Sequence, residues 1–161
     1  MKEESQIPHV CVHIIDPSTG YSMDPRQWIA RPEDERQKAE WLHFQSSLGY
    51  EFNLHKKALP RGPWNEQLET AAHLCGSGRP GTRLEWLLID YYERQSGVNI
   101  NELLESIGGD PLSGFAWTED EYRQCAEFAW YISFATGRIG KTHKSTEIPI
   151  RLITCEYYQN S

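Results

Sequence analysis

The sequence predicts an α+β domain, with two or three helices packed on twisted antiparallel sheets. Three observations carry that expectation. Alternating apolar residues open the chain, helical spacing occupies its middle, and alternation returns in its last third, an order of β, then α, then β. The 161 residues suffice to bury a core without disulfide or metal staples, so residues 1–161 are read as a single domain. Aromatic residues make up 12 %, with 6 Trp and 8 Tyr, a composition that folds rather than staying disordered.

The first strand is His9 to Ile15, which alternates and is rich in β-branched residues. Asp16-Pro-Ser-Thr-Gly20 is turn chemistry. The charged stretch 31–38 is a surface loop or a short exposed helical turn. Glu40 to Gln45 and Tyr50 to His55 flank Ser46–Gly49 as a hairpin, with Tyr50, Phe52 and Leu54 on a buried face and Glu51, Asn53 and His55 on the other. Residues 56–63 form a loop. Trp64, Leu68, Ala71, Ala72 and Cys75 fall at helical spacing, with Asn65 as the cap and Gly76 as the stop. Thr82-Arg-Leu-Glu85 is a capping box, and behind it Leu84, Leu87, Leu88 and Tyr91 form the apolar stripe of a second helix that ends near Gly97. Asn99 to Ile107 is a short third helix, closed by Gly108 and Gly109. Phe115 to Thr118 is a short strand. Glu127 to Ala135 alternates, placing Phe128, Trp130, Ile132 and Phe134 on one face. Arg138 to Thr142 is its return strand, and Ile148, Ile150 and Leu152 mark the last one.

Composition excludes several classes. With 16 Lys and Arg against 23 Asp and Glu, the net charge of -7 disfavours nucleic acid, whose binding runs on counterion release to cations. It also disfavours polyanionic glycans unless a local basic patch exists. No apolar run is long enough for a membrane span, and residues 1–8 carry no stretch resembling a signal peptide. Cys11, Cys75, Cys125 and Cys155 are too far apart in sequence for a CxxC zinc pair; most read as buried thiols, with a disulfide expected only if the protein is exported. The six histidines form no metal-binding spacing. The loop Gly76–Gly81 lacks the phosphate-cradle patterns. Thr118 to Gln124 is a solvated acidic loop without the alternating spacing of a calcium loop.

The order of motifs resembles a known family. Trp64 to Cys75 is followed by a glycine loop, then Arg79-Pro-Gly-Thr-Arg-Leu-Glu-Trp-Leu, Ile107-Gly-Gly, Phe115-Ala-Trp-Thr-Glu119 and Phe128-Ala-Trp-Tyr-Ile-Ser-Phe. Thr136-Gly137, Lys144-Ser145 and Ile150-Arg151-Leu152 complete the series. This resembles the C-type-lectin-like domain that ends bacterial collagen-like adhesins, the Lcl C-terminal domain family, which also occurs in phage tail and retroelement-diversified variable proteins. The match is strongest over residues 64–155. It departs in lacking the calcium-binding triplets of sugar-binding C-type lectins and in shortening the Trp-Ser-Ser-Thr-Glu motif to Trp117-Thr-Glu119.

The resemblance implies a C-type-lectin-like fold whose two chain ends meet in one sheet. The late strands Phe128–Phe134 and Ile148–Leu152 would supply the face that the two helices cover. It implies a non-enzymatic ligand- or receptor-binding module of a bacterial cell surface, prophage or phage-tail protein. Its partner would be a protein or glycan receptor on another cell or particle, bound without a cofactor or metal. Placement would be extracellular, on the cell surface or on a virion, with the cytoplasm left open. The binding residues expected on projecting loops are Glu119, Tyr122, Arg123, Arg138, Lys141, His143 and Lys144. Two alternatives stand beside this reading. One is a structural or assembly domain of a tail or pilus tip, with homo-oligomerisation left open. The other is a copper-dependent oxidase of the formylglycine-generating type, which would need Cys125 and Cys155 within reach of each other.

Overall fold

A computed structural model describes residues 9–155, so the expectation about a leader in residues 1–8 lies outside the described residues. In chain order the first elements are β1 (Val10–Ile15), β2 (Ser22–Met23), α1 (Pro25–Ile29), α2 (Glu33–Arg36), β3 (Trp41–Ser46) and β4 (Glu51–Ala58). Next come α3 (Trp64–Leu74), β5 (Arg79–Pro80), α4 (Arg83–Ser96) and α5 (Ile100–Ser106). Last are β6 (Phe115–Glu121), β7 (Phe128–Ser133), β8 (Ile139–His143) and β9 (Arg151–Thr154). The fold is α+β. One antiparallel sheet has the order β2-β1-β3-β4-β9-β5; the other is a three-stranded meander, β6-β7-β8.

The large sheet carries the main core on one face. Val12, Phe44 and Phe52 lie side by side across β1, β3 and β4, as do Ile14, Leu42, Leu54 and Ile153 with β9 added. All of them are buried, and the Phe44 and Phe52 rings stack at 5.0 Å. Helices α1, α4 and α5 supply Trp28, Trp86, Leu88, Ile89, Ile100, Leu103 and Leu104 to the same cluster. Each such side chain contributes about 1.5–3 kcal/mol before entropy is charged. The core is therefore built on the N-terminal hairpin rather than on the late strands as expected.

The second face of this sheet is not solvated as the hairpin pattern implied. His43 and Asn53 are buried there, their side chains 2.7 Å apart. Lys56, expected in a loop, lies within β4 and is buried on the core side. Its ammonium donates to the carbonyls of Gln37 and Ile107, at the C-terminal ends of α2 and α5. Arg151 is buried too and donates only to backbone carbonyls, those of His55, Lys56, Asp110 and Pro111. These cations tie the loop after α5 to the sheet.

A second cluster joins α3 to the meander. Trp64, Ala71, Cys75, Trp117, Ala129, Ile148, Ile150 and Leu152 are buried in it. Both indoles are satisfied: Trp64 donates to the Thr118 carbonyl at 2.8 Å and Trp117 to the Gly62 carbonyl at 3.0 Å. Ile148, Ile150 and Leu152 are buried as expected, but against Ala129, on the opposite face of β7 from Phe128 and Trp130.

Helix α4 starts as its capping box dictates. The Thr82 hydroxyl accepts from the Glu85 amide at 3.2 Å, and the Glu85 carboxylate accepts from the Thr82 amide at 2.9 Å. It ends at Gly97, which adopts the left-handed conformation with φ 73°. Its buried face differs from the expected stripe. Glu85, Trp86, Leu88 and Ile89 point inward, whereas Leu84 and Leu87 are exposed. The inward carboxylate explains the shift: Arg79 grips both Glu85 oxygens at 2.7 and 2.6 Å, and the Tyr50 hydroxyl donates at 2.6 Å. A buried glutamate at a core position reads as surface in sequence. At α3 the cap position is Pro63, with Asn65 inside the helix, and the chain turns extended at Cys75, before Gly76.

Among the described residues the four thiols are free, and only Cys75 is buried. Cys125 sits in the β6–β7 turn and Cys155 follows β9 in the other sheet, where its sulfur lies 3.1 Å from Arg79. The acidic segment expected as a loop is strand instead: residues 118–121 belong to β6. Two extra residues bulge between the pairs Trp117–Tyr131 and Glu121–Ala129.

Candidate functional site

The meander presents one face to α4 and beyond its end. Cross-strand pairing puts Phe128 beside His143, Trp130 beside Lys141 and Ile132 beside Ile139. Helix α4 begins at Arg83, so it covers only part of this face. Ile132 is buried beneath it and Phe134 meets the Trp86 ring edge-on at 5.1 Å. Phe128 and Trp130 run past the helix N-terminus and remain half-buried. The expected alternation is correct, but the cover stops halfway along it.

An aromatic and cationic cluster fills the uncovered part. The Tyr122 ring stands edge-to-face on Trp130 at 5.2 Å and lies 6.4 Å from Phe128. The Arg83 guanidinium sits 4.7 Å from the Trp130 ring centre, and the Lys141 ammonium 4.9 Å from that of Tyr122. Asp120 holds Arg83 in place: its carboxylate accepts from the Arg83 amide at 2.8 Å and lies 3.4 Å from Nε. The His143 ring packs on Phe128 at 5.9 Å, with Nδ1 2.8 Å from the Ser145 hydroxyl.

Of the residues expected to bind, Tyr122, Lys141 and His143 therefore converge. Arg123 is exposed in the tight β6–β7 turn beside them, which closes through the Tyr122 amide to the Phe128 carbonyl at 3.1 Å. Arg138 is exposed in the β7–β8 turn at the other end of the ribbon, roughly 15 Å away by strand rise. Lys144 faces the opposite side. Its ammonium contacts the Glu121 carboxylate and lies 4.6 Å over the Trp64 ring, and its carbonyl accepts from the Trp64 amide, so it pins β8 to α3. Glu119 is half-buried at the bulge, with its amide bonded to the Gly81 carbonyl at 3.0 Å. Burial pushes its carboxyl above the usual range, with Arg79 opposing. The residues missing from the sequence expectation are Phe128, Trp130 and Arg83. The first two were assigned to the core by their alternation; no sequence signal marks where the helix stops covering them.

A separate cleft of about 460 Å³ opens on the second face of the large sheet. Trp41 and His55 line it, held edge-to-face at 4.9 Å. The β1–β2 turn (residues 16–20) forms one wall, and Leu74 and Cys75 at the end of α3 form another. His55 has both ring nitrogens engaged: Nδ1 accepts from the Lys57 amide at 3.2 Å, and Nε2 lies 3.4 Å from Glu40. Burial holds its pKa below the usual 6.5, with Glu40 opposing. Among the described residues no three His, Cys, Asp or Glu side chains converge as metal ligands would, and no helix is long and apolar enough to cross a membrane.

No protein-family model matches the chain, and no curated protein matches it by sequence.

Proposed function

We propose that the chain is a non-enzymatic receptor-binding module with a C-type-lectin-like fold, belonging to a bacterial surface, prophage or phage-tail protein. The observation that carries the binding reading is the half-exposed cluster of Trp130, Tyr122, Phe128, Arg83, Lys141 and His143 on a rigid strand ribbon. Tyr, Trp and Arg are the side chains that dominate binding energy at interfaces, and here they are pre-ordered by mutual ring contacts, which lowers the entropy lost on association. Arg83, Arg123 and Lys141 set cations around these rings, with Asp120 and Glu127 beside Arg83 and His143. The favoured partner therefore combines apolar surface with polar groups that reach the cations, as a protein or a glycan does.

Three arrangements support the fold half of the reading. The strand before the first long helix, β4, pairs antiparallel with the last strand, β9, bringing the two ends into one sheet. Helices α3 and α4 lie between them in sequence. The intervening late strands form their own meander. His43 and His55 serve structural contacts: their ring nitrogens lie near Asn53, Glu51, Glu40 and the Lys57 amide.

The assembly alternative has its own observation: Leu87 and Ile139 are exposed apolar residues lining a small groove between α4 and the β7–β8 turn. The two readings part experimentally. Glycan-array and cell-surface binding by the wild-type chain should be lost in Trp130→Ala and Lys141→Glu, each by more than about tenfold. Lys141→Glu, at an exposed side chain, should keep the wild-type thermal midpoint. Trp130→Ala should lower it by the lost ring packing, so binding by folded Lys141→Glu is the cleaner readout. Unchanged binding by both variants overturns the reading, and an obligate ring in light scattering that hides this face favours assembly.

A further inference from the structure

The cleft on the large sheet has a chemistry of its own, independent of the ribbon face. Its lining includes the carboxylates of Asp16 and Glu40, yet no Arg, Lys, Asn or Gln side chain. Both acidic side chains of the lining disfavour an anion, Glu40 most, since Asp16 is accompanied by Arg31. A neutral polyol can bond to these groups as well, but only a cation gains charge-assisted bonds from a carboxylate. The Ser18 hydroxyl donates to Asp16 at 2.7 Å, and Thr19 Oγ1 accepts from the Tyr21 amide at 3.2 Å. Asp16 is spent on Ser18 and, at 3.7 Å, on Arg31. Glu40 is different: its side chain is 54 % exposed, and its side-chain contact among the described residues is a long 3.4 Å approach of one oxygen to His55. Beside it Trp41 offers a π-system held in one orientation by the His55 ring. The rest of the lining is apolar, including Leu74 and Leu152.

We propose that this cleft binds a small organic ammonium ion, with the charged head against Glu40 and Trp41 and an apolar body along Leu74 and Leu152. A carboxylate accepts charge-assisted N–H bonds, and an indole attracts a cation through its quadrupole, so the two groups select the same ligand charge. The volume of about 460 Å³ lies within the range of small-molecule sites and admits an arylalkyl amine. The net charge of -7 favours approach of a cation and disfavours the corresponding acid.

The test compares three probes of matched size that differ in charge, using the full chain at neutral pH: 2-phenylethylammonium, 2-phenylethanol and phenylacetate. Titration calorimetry and saturation-transfer NMR should find the ammonium bound at least about tenfold more tightly than the alcohol, and no binding of phenylacetate. Glu40→Gln should weaken ammonium binding about tenfold. Because Glu40 is surface-accessible, this variant should keep the wild-type thermal midpoint. Trp41→Leu should weaken binding further, and if that variant fails to fold, Glu40→Gln alone decides. Trp130→Ala, on the other sheet, should leave the affinity unchanged, which separates this site from the ribbon face. The proposal is overturned if the ammonium does not bind at about 10 mM, a concentration at which a weak millimolar site would be filled. It is also overturned if the alcohol or phenylacetate binds as tightly, or if Glu40→Gln binds like wild type.

Discussion

Replacing Glu85 by Gln should destabilise the protein by about 3 kcal/mol, and the geometry says why. The side chain is fully buried and makes four hydrogen bonds. Oε1 accepts from Arg79 and the Thr82 amide, Oε2 from Arg79 and the Tyr50 hydroxyl. Glutamine has nearly the same volume, so no cavity opens. Its amide group, however it is turned, places N–H donors against an Arg79 nitrogen that is itself a donor. Removing one partner of a buried ion pair costs about 3–5 kcal/mol. The Arg79 side chain retains 18 % exposure, so water recovers part of the loss and the lower end applies. In a chain of this size that corresponds to a fall of roughly 6–12 °C in thermal midpoint. Urea denaturation should show a lower midpoint with the same slope.

A second readout is independent of the first. Burial works against the Glu85 carboxylate, but the bonds from Arg79, Tyr50 and Thr82 more than offset it and hold the carboxyl below its usual 4.5. A carboxylate with a depressed folded-state pKa stabilises fully above the unfolded value, and that contribution is lost as pH falls through the folded one. Wild type should therefore lose stability in acid along a slope that Glu85→Gln lacks. A cost below about 1 kcal/mol, or an identical acid slope in the variant, would refute the argument that this pair fixes the start of α4 and hence the position of Arg83 over the Trp130 ring.

Other outcomes follow from the same geometry. Gly81→Ala should cost roughly 1–3 kcal/mol in urea melts and alter the near-UV circular dichroism, because a Cβ there would meet Ile153 at 2.7 Å and the Trp86 ring at 2.8 Å. His55, kept below its usual 6.5 mainly by burial, binds its proton less readily folded than unfolded. Stability should thus rise with pH up to about 6.5 and then level, and His55→Gln should flatten that rise in melts recorded across the range. Arg151→Met should destabilise by several kcal/mol, about 1–3 for each buried carbonyl left without a donor. The carbonyls of His55, Asp110 and Pro111 would be affected, while that of Lys56 keeps the Asp110 amide as donor. A midpoint within a degree of wild type would show that water takes over the role of Arg151.

Much of the secondary structure was legible because its signals are local. The turn at Asp16–Gly20, the hairpin of β3 and β4, the capping box at Thr82 and the left-handed Gly97 each depend on a few neighbouring residues. The helix faces were less legible. In α4 apolar residues surround the axis, so Leu84 and Leu87 matched a stripe as well as Trp86 and Ile89 did. The choice between them rests on Arg79 and Tyr50, which lie outside the helix and reach Glu85 from the sheet side. Four of the seven expected binding residues lie around one exposed face, Arg123 in the turn beside its rings, while Lys144 serves the joint between β8 and α3 and Arg138 lies at the far turn.

The amino-acid sequence alone determined the longer helices, the β3–β4 hairpin and the alternation that sets Phe128, Trp130 and Ile132 on a common side of a strand, because periodicity and caps are written within a single element. The tertiary structure decided which strands share a sheet, that the N-terminal hairpin carries the main core, and where α4 stops. That last point separates core from candidate contact surface: Ile132 lies under the helix and Trp130 past its end. Burial depends on what arrives from distant parts of the chain, and no local pattern encodes it.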